Sequence, residues 1–300
     1  MAHNFTEEIK KQIETSLPTS AGMVARIVKV IYDPATAAKD IADVIEHDPP
    51  LTAKILKVTN SAYYGLNSQV TSLQRAVVVL GFDTVKEIVS TVSIVDTIQQ
   101  VDGASQADMK GLWNHSVGTA KACQLIADNT KLARPEVAYI VGLLHDIGKI
   151  ILATVFPDNF NMVLKMVQEK NCRILLAERR ILNTDHTMIG KILCDIWGLP
   201  DDISTAILYH HDPMSVSKGS QALARIAEIG DYMCRKAQIG FPGDTNTQKP
   251  SAASLAILGT KPGQANTVFM ELFKKLVDQK DDIESFFSTL EDEKPPLESL

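Results

Sequence analysis

Apolar residues recur three and four positions apart along almost all of this 300-residue chain. That spacing lays a stripe along one face of a helix, and no stretch sustains the apolar–polar alternation of a half-buried strand. Helix boundaries are marked in the same way. Asp33-Pro34, Asp48-Pro49 and Arg134-Pro135-Glu136 put proline at or near a first helical position, where its missing N–H is no loss. Thr71 and Gln74 have the spacing of a capping box, and Gly22, Gly65, Gly81, Gly198 and Gly240 fall where helices would end. The expectation is an all-α protein, a multi-helix bundle of about a dozen helices.

A hydrophobic content of 45% with 22% charged residues is enough for a sizeable core. A formal net charge of −6 lacks the basic footprint of a nucleic-acid binder, which argues mildly against nucleic acid as the main partner, and none is expected. Cys123, Cys172, Cys194 and Cys234 form no C-x-x-C pair and suit a reducing compartment. The start, MAHNFTEEIKKQIE, is polar and amphipathic, and the longest apolar runs, Ala138 to Leu144 and Ile150 to Phe156, are interrupted by His145, Asp146 and Lys149. No run is expected to reach the length of a membrane span, so the expected location is the cytoplasm, with no membrane partner. Four stretches follow: residues 1–100, an N-terminal helical part; 108–240, a core holding every candidate ligand; 251–280, C-terminal helices; and 281–300, an acidic tail expected to be disordered.

Within the core stretch, ligand-type residues lie on or beside buried helix stripes. His115 flanks the stripe of Leu112, Thr119 and Cys123, with small Gly118 and Ala122 beside it. His145 follows Val141 by one turn, His186 shares a face with Ile189 and Leu193, and His210 and His211 follow Ile203 and Ile207. Asp231 stands in step with Leu223 and Ala227. Each histidine alone reads as a hydrogen-bonded core residue. The carboxylates are harder to place, because an ionised Asp on an apolar face needs a cation. For Asp231 either a metal or Arg235 one turn later supplies it. For Asp146 it is a metal or Lys149, unless Asp146 caps a helix. Lys54, Lys57, Asn60 and Arg75 in the N-terminal stretch read as a solvated face and as helix fasteners, and Trp113 and Trp197 as core or pocket wall.

His115, His145-Asp146 and Asp231 resemble the metal-binding signature of the HD-domain superfamily of metal-dependent phosphohydrolases. The upstream half resembles one branch, the HDOD (HD-related output domain) family. It does so through Leu17-Pro18, His47-Asp48-Pro49-Pro50-Leu51, Asn60-Ser61-Ala62-Tyr63-Tyr64-Gly65, Thr71-Ser72-Leu73, Arg75-Ala76 and Gly81. The similarity runs from about Leu17 to at least His211. His145-Asp146-Ile147-Gly148-Lys149, His186 and His210-His211 are in addition similar to the ligand set of HD-GYP cyclic-dinucleotide phosphodiesterases. Two features differ from that group: Asp212-Pro213-Met214 follows His211 in place of Gly-Tyr-Pro, and Gly111 stands where three-metal members have a Glu ligand.

The resemblance implies an HD-type bundle with an N-terminal HDOD subdomain, acting as a bacterial signal-transduction regulator with a protein partner. It also implies one or two divalent transition-metal ions. One would take His115, His145, Asp146 and Asp231, and a second would share Asp146 and add His186, His210 and His211. Such a nitrogen-rich set suits iron or manganese first, then nickel or zinc. The alternative is an active phosphohydrolase or phosphodiesterase on a nucleotide or other small phosphoester, with Asp146 and Lys149 in the catalytic roles. There Lys149 either contacts a phosphate, or is a solvated surface lysine or tied to Asp146.

Overall fold

The computed structural model of the chain describes residues 2–16, 21–45, 48–66, 68–99, 106–217, 221–259 and 263–291, and among these there is no strand. The N-terminal half consists of α1 (Ala2–Ser16), α2 (Ala21–Tyr32), α3 (Ala38–Ile45), α4 (Pro49–Thr59), α5 (Leu73–Leu80) and α6 (Phe82–Gln99). The core contains α7 (Gln106–Thr130), α8 (Pro135–Leu144), α9 (Ile147–Val155), α10 (Pro157–Lys170), α11 (Ile174–Leu182), α12 (His186–Ile196), α13 (Asp201–Tyr209) and α14 (Gln221–Ala237). α15 (Ala252–Leu255), α16 (Gln264–Val277) and α17 (Lys280–Glu291) complete the chain. The helices are shorter and more numerous than their expected number, because prolines and left-handed residues such as Asn171 and Asn183 cut the apolar pattern often.

α6 is the axle of the N-terminal half, in contact with α2, α4, α5 and α8. Every residue from Val85 to Val95 is buried, so it has no solvent stripe. Ser90 donates to the Lys86 carbonyl at 2.8 Å and Ser93 to that of Val89 at 2.6 Å within the helix, whereas Thr91 pairs with the Tyr139 hydroxyl of α8 at 2.9 Å. Asn60 acts as a fastener, its amide accepting from Val70 N and donating to Val70 O, both at 2.7 Å. Lys54 pairs with Asp96, and Arg75 is exposed. The cap of α5 is Ser72, which accepts from Arg75 N at 3.1 Å, one residue beyond the expected Thr71.

In the core, α7 is gripped by α8 and α14 through small residues. A Cβ on Gly142 would lie 2.7 Å from the Ala120 Cα, and one on Gly118 would lie 2.7 Å from the Cys234 sulfur. Trp113 and Trp197 are both core residues. The two halves are not self-contained, for one apolar core runs from Ile9 to Phe286. α1 packs on α9 and α12, and α17 returns to α4 and α7, where Phe286 meets Tyr63 edge-on at 5.4 Å.

Two expectations are revised. Residues 281–291 belong to α17 and are not part of a disordered tail; residues 292–300 of that tail lie outside the described residues, as do Leu17-Pro18 and His47. Pro135–Val155 is long and apolar enough by composition to cross a membrane, contrary to the expectation that no run is, but 94% of its most apolar window is buried inside the protein. The segment is core, broken at His145-Asp146 between α8 and α9.

The start of α9 and the start of α12 touch backbone to backbone. A Cβ on Gly148 would lie 2.0 Å from the carbonyl oxygen of His186, an atom with no side-chain freedom to yield. Gly148→Ala should therefore cost at least about 2 kcal/mol of unfolding free energy in urea titration, a cost of overpacking. A neutral outcome would show that this contact is loose.

Candidate metal centre

His145, Asp146, His186, His210 and His211 all sit at helix ends, where the sequence pattern suggested positions along helix faces. His145 closes α8, Asp146 bridges α8 and α9, His186 opens α12, and His210 closes α13 with His211 next. His115 and Asp231 come from the interiors of α7 and α14. The ends are held by local bonds. Asp185 caps α12 by accepting from Thr187 N at 3.0 Å and Met188 N at 3.2 Å, and Arg179 Nε donates to its second oxygen at 2.7 Å.

All seven candidates converge. Asp146, His186, His210 and His211 offer one atom each within 4.8 Å of one another, as do His115, His145 and Asp146. Asp231 flanks the second group, its Oδ1 2.9 Å from His115 Nε2 and 3.8 Å from His145 Nε2. The carboxylate of Asp146 divides between the groups. Its Oδ1 lies 3.3 Å from His186 Nε2 and 3.8 Å from His210 Nε2; its Oδ2 lies 3.3 Å from His145 Nε2 and 3.8 Å from His115 Nε2.

Hydrogen bonding fixes which ring nitrogens are free. His145 Nδ1 is 2.7 Å from the Gly142 carbonyl and His210 Nδ1 is 2.7 Å from the Ile207 carbonyl. A carbonyl only accepts, so both Nδ1 atoms carry hydrogen and a neutral ring leaves its lone pair on Nε2. His186 Nδ1 likewise donates to Glu178 Oε2 at 2.6 Å, and that oxygen also accepts from His186 N at 3.1 Å. Orientation of an imidazole by a carbonyl or carboxylate behind it is the usual support of a metal ligand.

The centre fits a cation. His145 Nε2, His210 Nε2 and Asp146 Oδ1 are buried without a hydrogen-bond partner, a costly state for polar atoms. His186 Nε2 and His211 Nε2 stand 3.1 Å apart, close to the roughly 3.0–3.4 Å between neighbouring ligand atoms each about 2.1 Å from one ion.

Charge follows the same geometry. Burial pushes Asp146 towards neutrality, but His145, Lys149 and His186 outweigh it and hold the carboxyl well below the usual range. Burial likewise opposes the charge on Asp231, and Arg235 and His115 overcome it. His210 is pushed down to about 3 by burial and by His145 beside it, and burial with His210 and His186 holds His211 well below the usual imidazole range. His115 is lowered by burial against the pull of Asp231. For His145, burial is overcome by Asp146 and Asp231, and its pKa is raised.

Lys149 is fully buried and donates to Asp146 Oδ2 at 2.6 Å, so it is not a solvated surface lysine. Gly111 is covered. Phe241 N donates to its carbonyl at 2.8 Å, a Cβ at 111 would meet Phe241 Cβ at 3.1 Å, and Gly240 approaches α7 so closely that its own Cβ would lie 2.3 Å from His115 N. A carboxylate at that position would have to displace the loop.

Glu178 escaped sequence reasoning, as did Asp244, which accepts from Arg235 Nη1 at 3.1 Å and from Ile174 N at 2.9 Å. The signal for Glu178 was present: it stands in i, i+4, i+8 register with buried Ile174 and Leu182, the same pattern that singled out Asp231.

Histidines whose folded pKa lies below the unfolded value bind fewer protons folded than unfolded, so the stability they carry is lost as pH falls through the unfolded pKa near 6.5. Asp146 and Asp231 add a loss in the same direction at lower pH, and His145 opposes it. In metal-free protein, the urea midpoint should fall from pH 7 to pH 4.5, His210 alone contributing about 2 kcal/mol. A flat profile would show these rings to be solvated.

A family model for the HDOD domain matches residues 17–213. An HDOD domain protein of unknown function from Geobacter sulfurreducens superposes with a TM-score of 0.72 at 28% identity, covering 95% of this chain and 97% of that one. A Shewanella amazonensis protein provisionally described as a phosphohydrolase superposes at 0.69 with 22% identity, over 94% and 98% of the two chains, a likeness of fold. An uncharacterised protein of Treponema pallidum is 26% identical over 206 residues, 65% of this chain and 38% of that protein, so the chain spans well under half of that relative. With the family's domain matched over most of its length and its fold reproduced end to end, the chain belongs to the HDOD family.

Proposed function

We propose that this chain is a regulatory HDOD module that holds a divalent transition metal in its core and signals through protein contacts. The observation that carries the metal is a set of buried atoms without a hydrogen-bond partner, His210 Nε2 and Asp146 Oδ1 on one side of the shared carboxylate and His145 Nε2 on the other. His115, His145, Asp146, His186, His210, His211 and Asp231 would hold one or two ions, with iron or manganese favoured by the mixed imidazole and carboxylate donors. A bound ion would supply Lewis acidity towards a phosphoryl oxygen and would acidify water.

Two features favour regulation over hydrolysis. Lys149 is buried and spent on Asp146, so it offers no charge to an incoming phosphate. The cavity beside His211 and Asp231, bordered by Arg173, Arg235 and Asn246, measures about 30 Å³. That is room for about two waters, far below the roughly 300 Å³ of a small-ligand site. A cytoplasmic setting and a signalling-protein partner belong to the same proposal, and a phosphoester or nucleotide ligand belongs to the alternative.

Protein purified without added metal should contain close to one transition-metal ion or more per chain by elemental analysis, and His210→Ala should lose it while remaining helical by circular dichroism. Glu178→Gln should fold and bind the same ion about 10–100-fold more weakly, as removal of a buried carboxylate behind a ligand usually does. Metal-free protein under both purification and reconstitution would overturn the metal. Turnover of bis(p-nitrophenyl) phosphate by manganese-loaded protein, abolished in Asp146→Ala, would favour the hydrolase; no turnover is expected.

A further inference from the structure

The two halves of the centre differ in what already fills them. In the half formed by His115, His145, Asp146 and Asp231, the chain supplies its own cations. Lys149 Nζ lies 2.6 Å from Asp146 Oδ2, the oxygen that faces His145 and His115. Arg235 Nε lies 2.8 Å from Asp231 Oδ1, the same oxygen that His115 Nε2 engages at 2.9 Å. Arg235 is itself held, since its Nη1 donates to Asp244 at 3.1 Å and Asp244 is anchored through Ile174 N at 2.9 Å. Of the four ligand atoms facing this half, His145 Nε2 alone lacks a hydrogen-bond partner.

The other half is the reverse. Asp146 Oδ1 and His210 Nε2 have no partner, and His186 Nε2 and His211 Nε2 share only each other. The group behind His186 is the carboxylate of Glu178, which adds negative charge where the first half adds positive. An ion entering the first half must take its carboxylate oxygens from an ammonium and a guanidinium, and must then stand close to both in a medium that screens poorly. An ion entering the second half displaces only the hydrogen bond between His186 and His211, and finds Asp146 Oδ1 and His210 Nε2 without partners.

We infer that this chain is a one-metal protein, with the ion seated on Asp146, His186, His210 and His211, and with Lys149 and Arg235 standing in for the metal of the other half. The inference rests on the metal reading above and assigns which half is filled. Arg235 is then a positioning residue that withholds Asp231 from metal.

The test is titration of chelator-treated full-length protein with Co²⁺, followed by calorimetry and by the visible ligand-field bands, with circular dichroism as the folding control. One ion per chain is expected, with any second at least tenfold weaker. His186→Ala and His211→Ala should abolish the tight event, whereas His115→Ala should keep it within about threefold. Arg235→Gln should strengthen the second event at least tenfold and leave the first unchanged, a result a purely structural arginine would not give. Should Arg235→Gln fail to fold, the His115→Ala and His211→Ala pair decides alone. Two ions of equal affinity, or an ion lost in His115→Ala and kept in His211→Ala, would overturn the assignment and leave the metal reading standing. No bound ion in the parent would overturn both.

Discussion

An ionised carboxylate with 2% of its surface exposed has to be compensated within a few ångströms, and in this chain that carboxylate is Asp146. Its position at the α8–α9 junction, inside the most apolar segment of the sequence, makes its burial unavoidable once Pro135–Val155 becomes core. The compensation draws in the rest of the site. Lys149 and His145 are close in sequence, but His186 and His210 have to be brought from α12 and α13. The bare backbone contact of Gly148 with His186 is what allows that distance to close. Fold and centre are thus one problem: the helices cannot reach their packed positions without assembling the ligand set.

Delivery from helix ends has a mechanical consequence. A ring at a helix terminus can donate Nδ1–H to the carbonyl three residues back, as His145 does to Gly142 and His210 to Ile207, and its free nitrogen then points away from the helix. Two rings built alike, on two helices, fix two lone pairs without recourse to other side chains. His186 opens its helix instead and has no carbonyl behind it, which is why a buried Glu178 is needed there. The supporting groups are therefore set by which end of a helix each ligand occupies.

The all-helical class was legible because helical periodicity and proline-marked starts are local signals, and the seven candidate ligands were legible because ionisable groups interrupted apolar stripes. What escaped was set by long-range packing. Nothing near Ala2–Ser16 indicates that α1 lies on α9 and α12. In Lys280–Glu291 the helical spacing of Ile283, Phe286, Phe287 and Leu290 was present beside the acidic residues, but nothing there indicates docking on α7. Pro135–Val155 passes for a membrane span or a core helix by composition alone, and only its burial decides. The fate of Lys149 was undecidable for the same reason: i, i+3 spacing to Asp146 allows an ion pair, but total burial is what commits the ammonium to it. Glu178 was visible in the pattern and passed over.

A metal held in such a place acts on stability before it acts on any substrate. An ion that binds only the folded chain stabilises it by mass action, and does so through the helices it joins. Here those are the ends of α8, α12 and α13, and the same helices carry contacts to the N-terminal half: α8 against α2 and α6, α12 against α1. Tyr32 on α2 reaches Asp202 on α13 at 2.8 Å, and Arg134, which starts α8, donates to the carbonyl of Ile31 at 3.0 Å. Loss of the ion would leave Asp146 Oδ1 and the ring nitrogens uncompensated, and the strain would fall on the helices that the N-terminal half leans upon. In the proposed regulatory reading this coupling is the useful property, since an occupied core would present a fixed outer surface and an empty one a looser surface.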